Sequence, residues 1–196
     1  MNKQLDFYFD VGSPTAYLAY CRLGQLCQRY PLSVHYRPML LGGVFKATAN
    51  TSPVAIPAKG AYMLQHDLPR FSRRYDVPLN INPHFPINTL NLMRGCIAAE
   101  QLGCLAPYLD TVFKAIWVDG KDMGDPQVVT ATLEAAGLDS AQLLELSQAP
   151  EIKAKLVEAT EAAVARGCFG APTFFLDDDM FFGQDRLDFI EEALQT

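Results

Sequence analysis

The chain has 196 residues, of which 49% are hydrophobic, 19% charged and 11% aromatic. That is the size of one compact domain, or a small domain carrying an insertion, with apolar material for a core and too little charge for a disordered chain. Sixteen Lys and Arg against 22 Asp and Glu leave a net charge of −6. This excludes a broadly basic nucleic-acid-binding surface and leaves room only for a local basic pocket.

The opening Met1-Asn2-Lys3-Gln4-Leu5-Asp6 lacks the apolar stretch of a secretory signal. No apolar run approaches the roughly 20 residues that cross a bilayer. A cytoplasmic protein is expected. Cys21, Cys27, Cys96, Cys104 and Cys168 are odd in number and contain no pair spaced by two residues. That argues against a disulfide scaffold and a zinc knuckle, so no metal site is expected.

In chain order, residues 5–10 are short and aromatic-rich and read as a strand. Val11-Gly12-Ser13-Pro14 breaks it. Tyr17, Tyr20, Leu23, Leu26 and Cys27 then recur at helical spacing, with Pro14 suited to the first helical position and Ser13 to the N-cap. Residues 32–37 alternate and predict a second strand, completing a βαβ unit. Residues 42–60, rich in Gly, Pro, Ala and Thr, predict a loop with at most one short helix. Helices are predicted over 61–75, 88–103, 105–117, 126–136, 140–147 and 150–166. Pro78, Pro83 and Pro86 exclude a regular helix over 78–87. Thr173–Leu176 and Met180–Phe182 predict a hairpin turning at Asp177–Asp179, and 184–194 a closing helix. The order βαβ, helical block, ββα predicts an α/β, thioredoxin-like fold with a large all-helical insertion. The expected division is a thioredoxin-like domain of 1–60 and 168–196 around an insertion of 61–167.

Four constellations carry candidate chemistry. The first is Gly12-Ser13-Pro14-Thr15-Ala16, at the strand-to-helix turn where a helix dipole and free amides stabilise a negative sulfur. No cysteine is present there, so dithiol exchange is excluded. Ser13 taken alone reads as a helix cap; its functional reading is a hydrogen bond to the thiolate of a bound thiol. The second is Gly170-Ala171-Pro172-Thr173, where a cis bond before Pro172, if formed, would place the Ala171 backbone opposite the Ser13 turn. Alone it is a proline at a strand start. The third is Gly183-Gln184-Asp185-Arg186, where Asp185 serves as a cap or, with free amides, receives an α-amino acid headgroup. The fourth runs from Arg37 to Lys46 and on through Asn50, Lys59, Tyr62 and Met63, a Gly- and Pro-rich excursion after a strand in which Lys59 suits a carboxylate or plain solvent.

In their order, these segments resemble the kappa-class glutathione transferases and 2-hydroxychromene-2-carboxylate isomerases, DsbA-related proteins of thioredoxin fold. The likeness extends to Pro83-His84-Phe85-Pro86-Ile87-Asn88-Thr89 and Phe169-Gly170-Ala171-Pro172-Thr173-Phe174 and runs nearly end to end. It implies glutathione as cofactor, with Ser13 as catalytic residue favouring its thiolate. It implies that Ala171 and Pro172 pair with the cysteinyl unit, Gln184 and Asp185 hold the γ-glutamyl headgroup, and Asn50 and Lys59 reach the glycine end. Gln184 stands where relatives commonly carry a shorter Ser or Asn, and the stretch from Arg37 to Lys59 is more like the transferase branch.

The resemblance implies an isomerase that interconverts 2-hydroxychromene-2-carboxylate and trans-o-hydroxybenzylidenepyruvate by reversible thiolate addition, in aromatic hydrocarbon catabolism, and a homodimer. A transferase conjugating glutathione to small electrophiles and a non-catalytic glutathione-binding module are the rivals. Arg37 is one candidate for the substrate carboxylate. His84, in its proline-rich loop, and Cys168, beside the Ala171 loop, are weaker candidates. Trp117 is expected in the core or a pocket wall.

Overall fold

The computed structural model describes residues 3–195. Met1, Asn2 and Thr196, which the expected segments 1–60 and 168–196 include, lie outside the described residues. β1 (Lys3–Phe9) sits inside a four-stranded sheet of order β2-β1-β3-β4. It runs parallel to β2 (Leu32–Pro38) and antiparallel to β3 (Thr173–Leu176), which pairs with β4 (Asp179–Phe182). α1 (Pro14–Arg29) is the crossover between β1 and β2. Between β2 and β3 the regular elements are all helical.

The aromatic run of β1 is explained by cover on both faces. Leu5, Phe7 and Phe9 are fully buried in the main core, with Phe7 stacked on Phe174 at 5.3 Å. Tyr8 points the other way, into a smaller core with Met39, Val44, Ala163, Cys168 and Phe175. The helical block comprises α5 (Leu90–Gln101), α6 (Leu105–Trp117), α7 (Pro126–Ala135), α8 (Ser140–Gln148) and α9 (Pro150–Ala165). Each lies inside or within two residues of its predicted range.

Residues 42–60 depart from the expected loop. α2 (Leu41–Thr48) and α3 (Pro57–Tyr62) are helical, with a short 3₁₀ turn at Pro53–Ala55. Gly42 and Gly43 weaken helix propensity, but α2 packs on α9. A Cβ on Gly43 would lie 3.1 Å from a Thr160 methyl, so glycine permits this close approach. The start of α2 is capped from afar, by the Asp10 carboxylate accepting Leu41 N–H (2.9 Å).

The helix expected over 61–75 is divided. A wide π turn at Met63–Asp67 separates α3 from α4 (Leu68–Tyr75). Pro69 accounts for the division, because proline donates no hydrogen bond and its ring crowds the carbonyl four residues back. The terminal hairpin is tighter than expected: Asp179 already pairs with Leu176, leaving a two-residue turn with Asp177 at φ 55°. The last helix opens with a 3₁₀ turn at Gln184–Arg186 and continues as α10 (Leu187–Leu194).

Candidate active site at the β1–α1 corner

β1 ends at Phe9, and Val11-Gly12 turns the chain into α1. Ser13 is 5% exposed and caps α1, its Oγ accepting Ala16 N–H (3.1 Å). That bond occupies an acceptor position and leaves the hydroxyl proton to be donated elsewhere. Ser13 Oγ also lies 2.9 Å from Thr15 Oγ1, and both hydroxyls face the carbonyl oxygen of Ala171, at 3.5 and 3.3 Å. The Ala171–Pro172 bond is cis. Capping and donation to a ligand are therefore compatible in Ser13, since one uses a lone pair and the other the proton.

The corner is held from beneath by groups whose role at the site was not legible in the sequence. Asp10 is 1% exposed; its carboxylate accepts Gly12 N–H (2.9 Å) as well as Leu41 N–H, and Thr89 adds a side-chain bond. Burial pushes the Asp10 carboxyl above the usual range, against the pull of those three donors. Trp117 is fully buried and its indole N–H donates to Val11 O (2.8 Å), while Val11 N–H meets Met93 Sδ (3.3 Å). A Cβ on Gly12 would lie 2.7 Å from the Thr89 methyl, so this turn admits no side chain without displacing Thr89. Trp117 was expected as core or wall; its hydrogen bond to the corner is additional. Asp10 and Thr15 flank Ser13 in sequence, and proximity was the signal available for them.

Two further segments are tied to this corner. Gly183 N–H donates to Pro172 O (3.0 Å), which brings the Gln184–Asp185 turn beside the cis bond. Gly183 has φ 101°, a backbone conformation that favours glycine, and a Cβ there would displace the Asp185 side chain, 2.5 Å away at Oδ1. Gln184 is buried, and its carbonyl accepts the Tyr75 hydroxyl (3.0 Å). Asp185 is half exposed and already pairs with Arg186 (2.5 Å). Asn50 Nδ2 donates to Phe169 O (2.9 Å), joining the segment after α2 to the loop that leads into Ala171. Lys59 is exposed on α3 and shares no hydrogen bond or ion pair with the others among the described residues.

Other candidates are accounted for elsewhere. Arg37 lies on the exposed face of β2, where its Nε donates to Asp6 (2.9 Å). His84 lies 3.5 Å from Asp122, near solvent. Cys168 is buried in the smaller core, and desolvation pushes its thiol up to about 11, the Thr173 side chain and Arg166 opposing. It is a thiol, not a thiolate, at neutral pH. No cluster of metal-ligating side chains occurs among the described residues. No helix among them is long and apolar enough to cross a membrane.

Comparison with known proteins follows this geometry. Residues 4–195 match the DsbA-like thioredoxin domain family. The chain is 33% identical to 2-hydroxychromene-2-carboxylate isomerase from Sphingobium xenophagum, over 99% of both chains. It is 30% identical to glutathione S-transferase kappa 1 from Rattus norvegicus, over 98% of this chain and 91% of that one. A solved structure of 2-hydroxychromene-2-carboxylate isomerase superposes with a TM-score of 0.88 at 32% identity, covering 98% of this chain and 94% of the other.

Proposed function

The chain belongs to the DsbA-like thioredoxin domain family, among the 2-hydroxychromene-2-carboxylate isomerases and kappa-class glutathione transferases, and on that premise we propose that it is a glutathione-dependent isomerase interconverting 2-hydroxychromene-2-carboxylate and trans-o-hydroxybenzylidenepyruvate. The observation that carries this reading is Ser13. It is a buried hydroxyl at a helix N-terminus, its acceptor side held by Ala16 and its proton directed to the Ala171 carbonyl by a long bond (3.5 Å) that a closer sulfur acceptor would displace.

The residues present fit a cysteine-containing peptide. The Ala171 backbone lies beside the hydroxyls, Gln184 and Asp185 are linked to Pro172 through Gly183, and Asn50 reaches the same loop through Phe169. When bound, glutathione supplies a nucleophilic thiolate, which turns the substrate double bond into a freely rotating single bond and then leaves unconsumed. Ser13 would donate a hydrogen bond to the sulfur and the α1 N-terminus would add its dipole, so both would favour the charged thiolate. Asp10 and Trp117 hold the turn so that Ser13 needs no reorganisation during reaction. Asp185 receives the headgroup ammonium beside its pair with Arg186, and Lys59 and Asn50 serve the glycine end.

We assign the protein to the cytoplasm, as a homodimer; the five cysteines, free in the structure, suit a reducing compartment. The kappa transferase relatives support a second reading, in which glutathione is consumed in a conjugate. The ultraviolet spectrum of 2-hydroxychromene-2-carboxylate, followed with protein and substoichiometric glutathione, decides between them. Rapid equilibration with the thiol recovered is the expected result. No acceleration beyond free glutathione rejects the isomerase and leaves the transferase, tested by thiol loss with an electrophile.

A further inference from the structure

α2, α5 and α9 enclose a cleft of about 380 Å³, within the size range of small-molecule sites. Its walls are mainly apolar, with Leu90, Leu156 and Val157 among them. Lys46, Arg94 and Lys153 also line it, against a single acid, Glu161. Such an excess of positive charge is unusual in a chain of net charge −6.

None of the three cations forms an ion pair among the described residues. Seven of the nine arginines meet a carboxylate at ion-pair distance there; Arg94 is one of the two that do not. Arg94 Nη1 has only a long contact to Asn91 Oδ1 (3.4 Å), and the enclosed Nε has no acceptor. A guanidinium that lines a cleft with its outer N–H groups so weakly satisfied is a group that an anion would engage. Apolar walls reward a flat or branched hydrocarbon body, and the cations reward one negative charge at its edge.

We infer that the α2–α5–α9 cleft is a binding site for a small aromatic carboxylate, with Arg94 as its anchor and Lys46 and Lys153 as supporting charges. The site requires neither Ser13 nor glutathione and stands apart from the proposed reaction. Thr89 separates the two: its methyl packs on the Gly12 position, and the next residue, Leu90, lines the cleft.

Calorimetric titration of the full chain with 1-naphthoate, without glutathione, tests this. Saturable 1:1 binding is expected, with neutral 1-naphthamide weaker by about tenfold or more. Arg94→Gln is expected to weaken naphthoate about tenfold, and the exposed Lys46→Gln about threefold, with naphthamide little changed. Ser13→Ala is expected to leave naphthoate affinity unaltered. Equal binding of acid and amide, or full affinity in both cation variants, would overturn the site. A tenfold loss in Ser13→Ala would instead relocate the anion to the β1–α1 corner and overturn it as well.

Discussion

The Ser13 corner and the segment from Asn50 to Lys59 serve one proposed site, yet they are held in opposite ways. The corner is buried and gripped by Asp10, Trp117, Thr89 and Met93, whose side chains come from three separate stretches of chain. The Asn50–Lys59 segment is largely exposed, and Asn50 ties its start to Phe169 O through the side chain and to Phe45 O through the backbone. Chemistry that depends on a hydroxyl direction is placed where backbone is fixed by desolvated hydrogen bonds. Contacts to the far end of a ligand lie where local opening is inexpensive.

The contrast can be broken most severely at Trp117. Trp117→Ala removes the largest fully buried side chain and the bond to Val11 O. It is expected to lower stability by about 3–5 kcal/mol, read by urea denaturation. A loss under 1 kcal/mol would mean the corner does not depend on it.

Asp10→Asn is expected to follow, at about 1–3 kcal/mol. Asp10 accepts through both carboxylate oxygens, and an amide offers one acceptor. Its pH dependence has a definite sign. With the folded-state value raised by burial, the native protein holds a proton that the unfolded chain gives up. Asp10 thus stabilises the fold below the ordinary carboxylate range, and this contribution is lost as pH rises through its folded-state value. The deficit of Asp10→Asn should therefore be largest in acid and narrow with rising pH. A deficit that grows with pH contradicts the assignment.

At the exposed segment the effects on stability are small. Asn50→Ala and Lys59→Ala are expected to change stability by no more than about 0.5 kcal/mol. They should weaken glutathione binding in calorimetry while leaving the bound thiol's pH titration in place. Movement of that titration would erase the proposed division of labour.

What was legible in the sequence follows the same divide. Ser13-Pro14 announces a capped helix through local chemistry alone, and the structure has that cap. The cis bond at Ala171–Pro172 and its position opposite Ser13, 158 residues away, were implied by the family resemblance and not by local chemistry. Asp10 was legible only as a near neighbour of Ser13, because Leu41 and Thr89, which complete its support, become its neighbours only after folding. α2 was hidden for the same reason: Gly42 and Gly43 argue locally for a loop, and the cap and the α9 face that override them are distant in sequence. The division at Met63–Asp67 was accessible, since Pro69 stands in plain view.

The central claim is that the Ser13 hydroxyl and the α1 N-terminus together favour a thiolate. Ultraviolet titration of the bound glutathione thiol, in the native protein and in Ser13→Ala, measures this directly. The native complex is expected to ionise well below free glutathione. Ser13→Ala should move that ionisation upward and slow isomerisation about 100-fold, for a stability loss of about 1 kcal/mol from the missing cap. Coincident titrations in the two proteins would contradict the account.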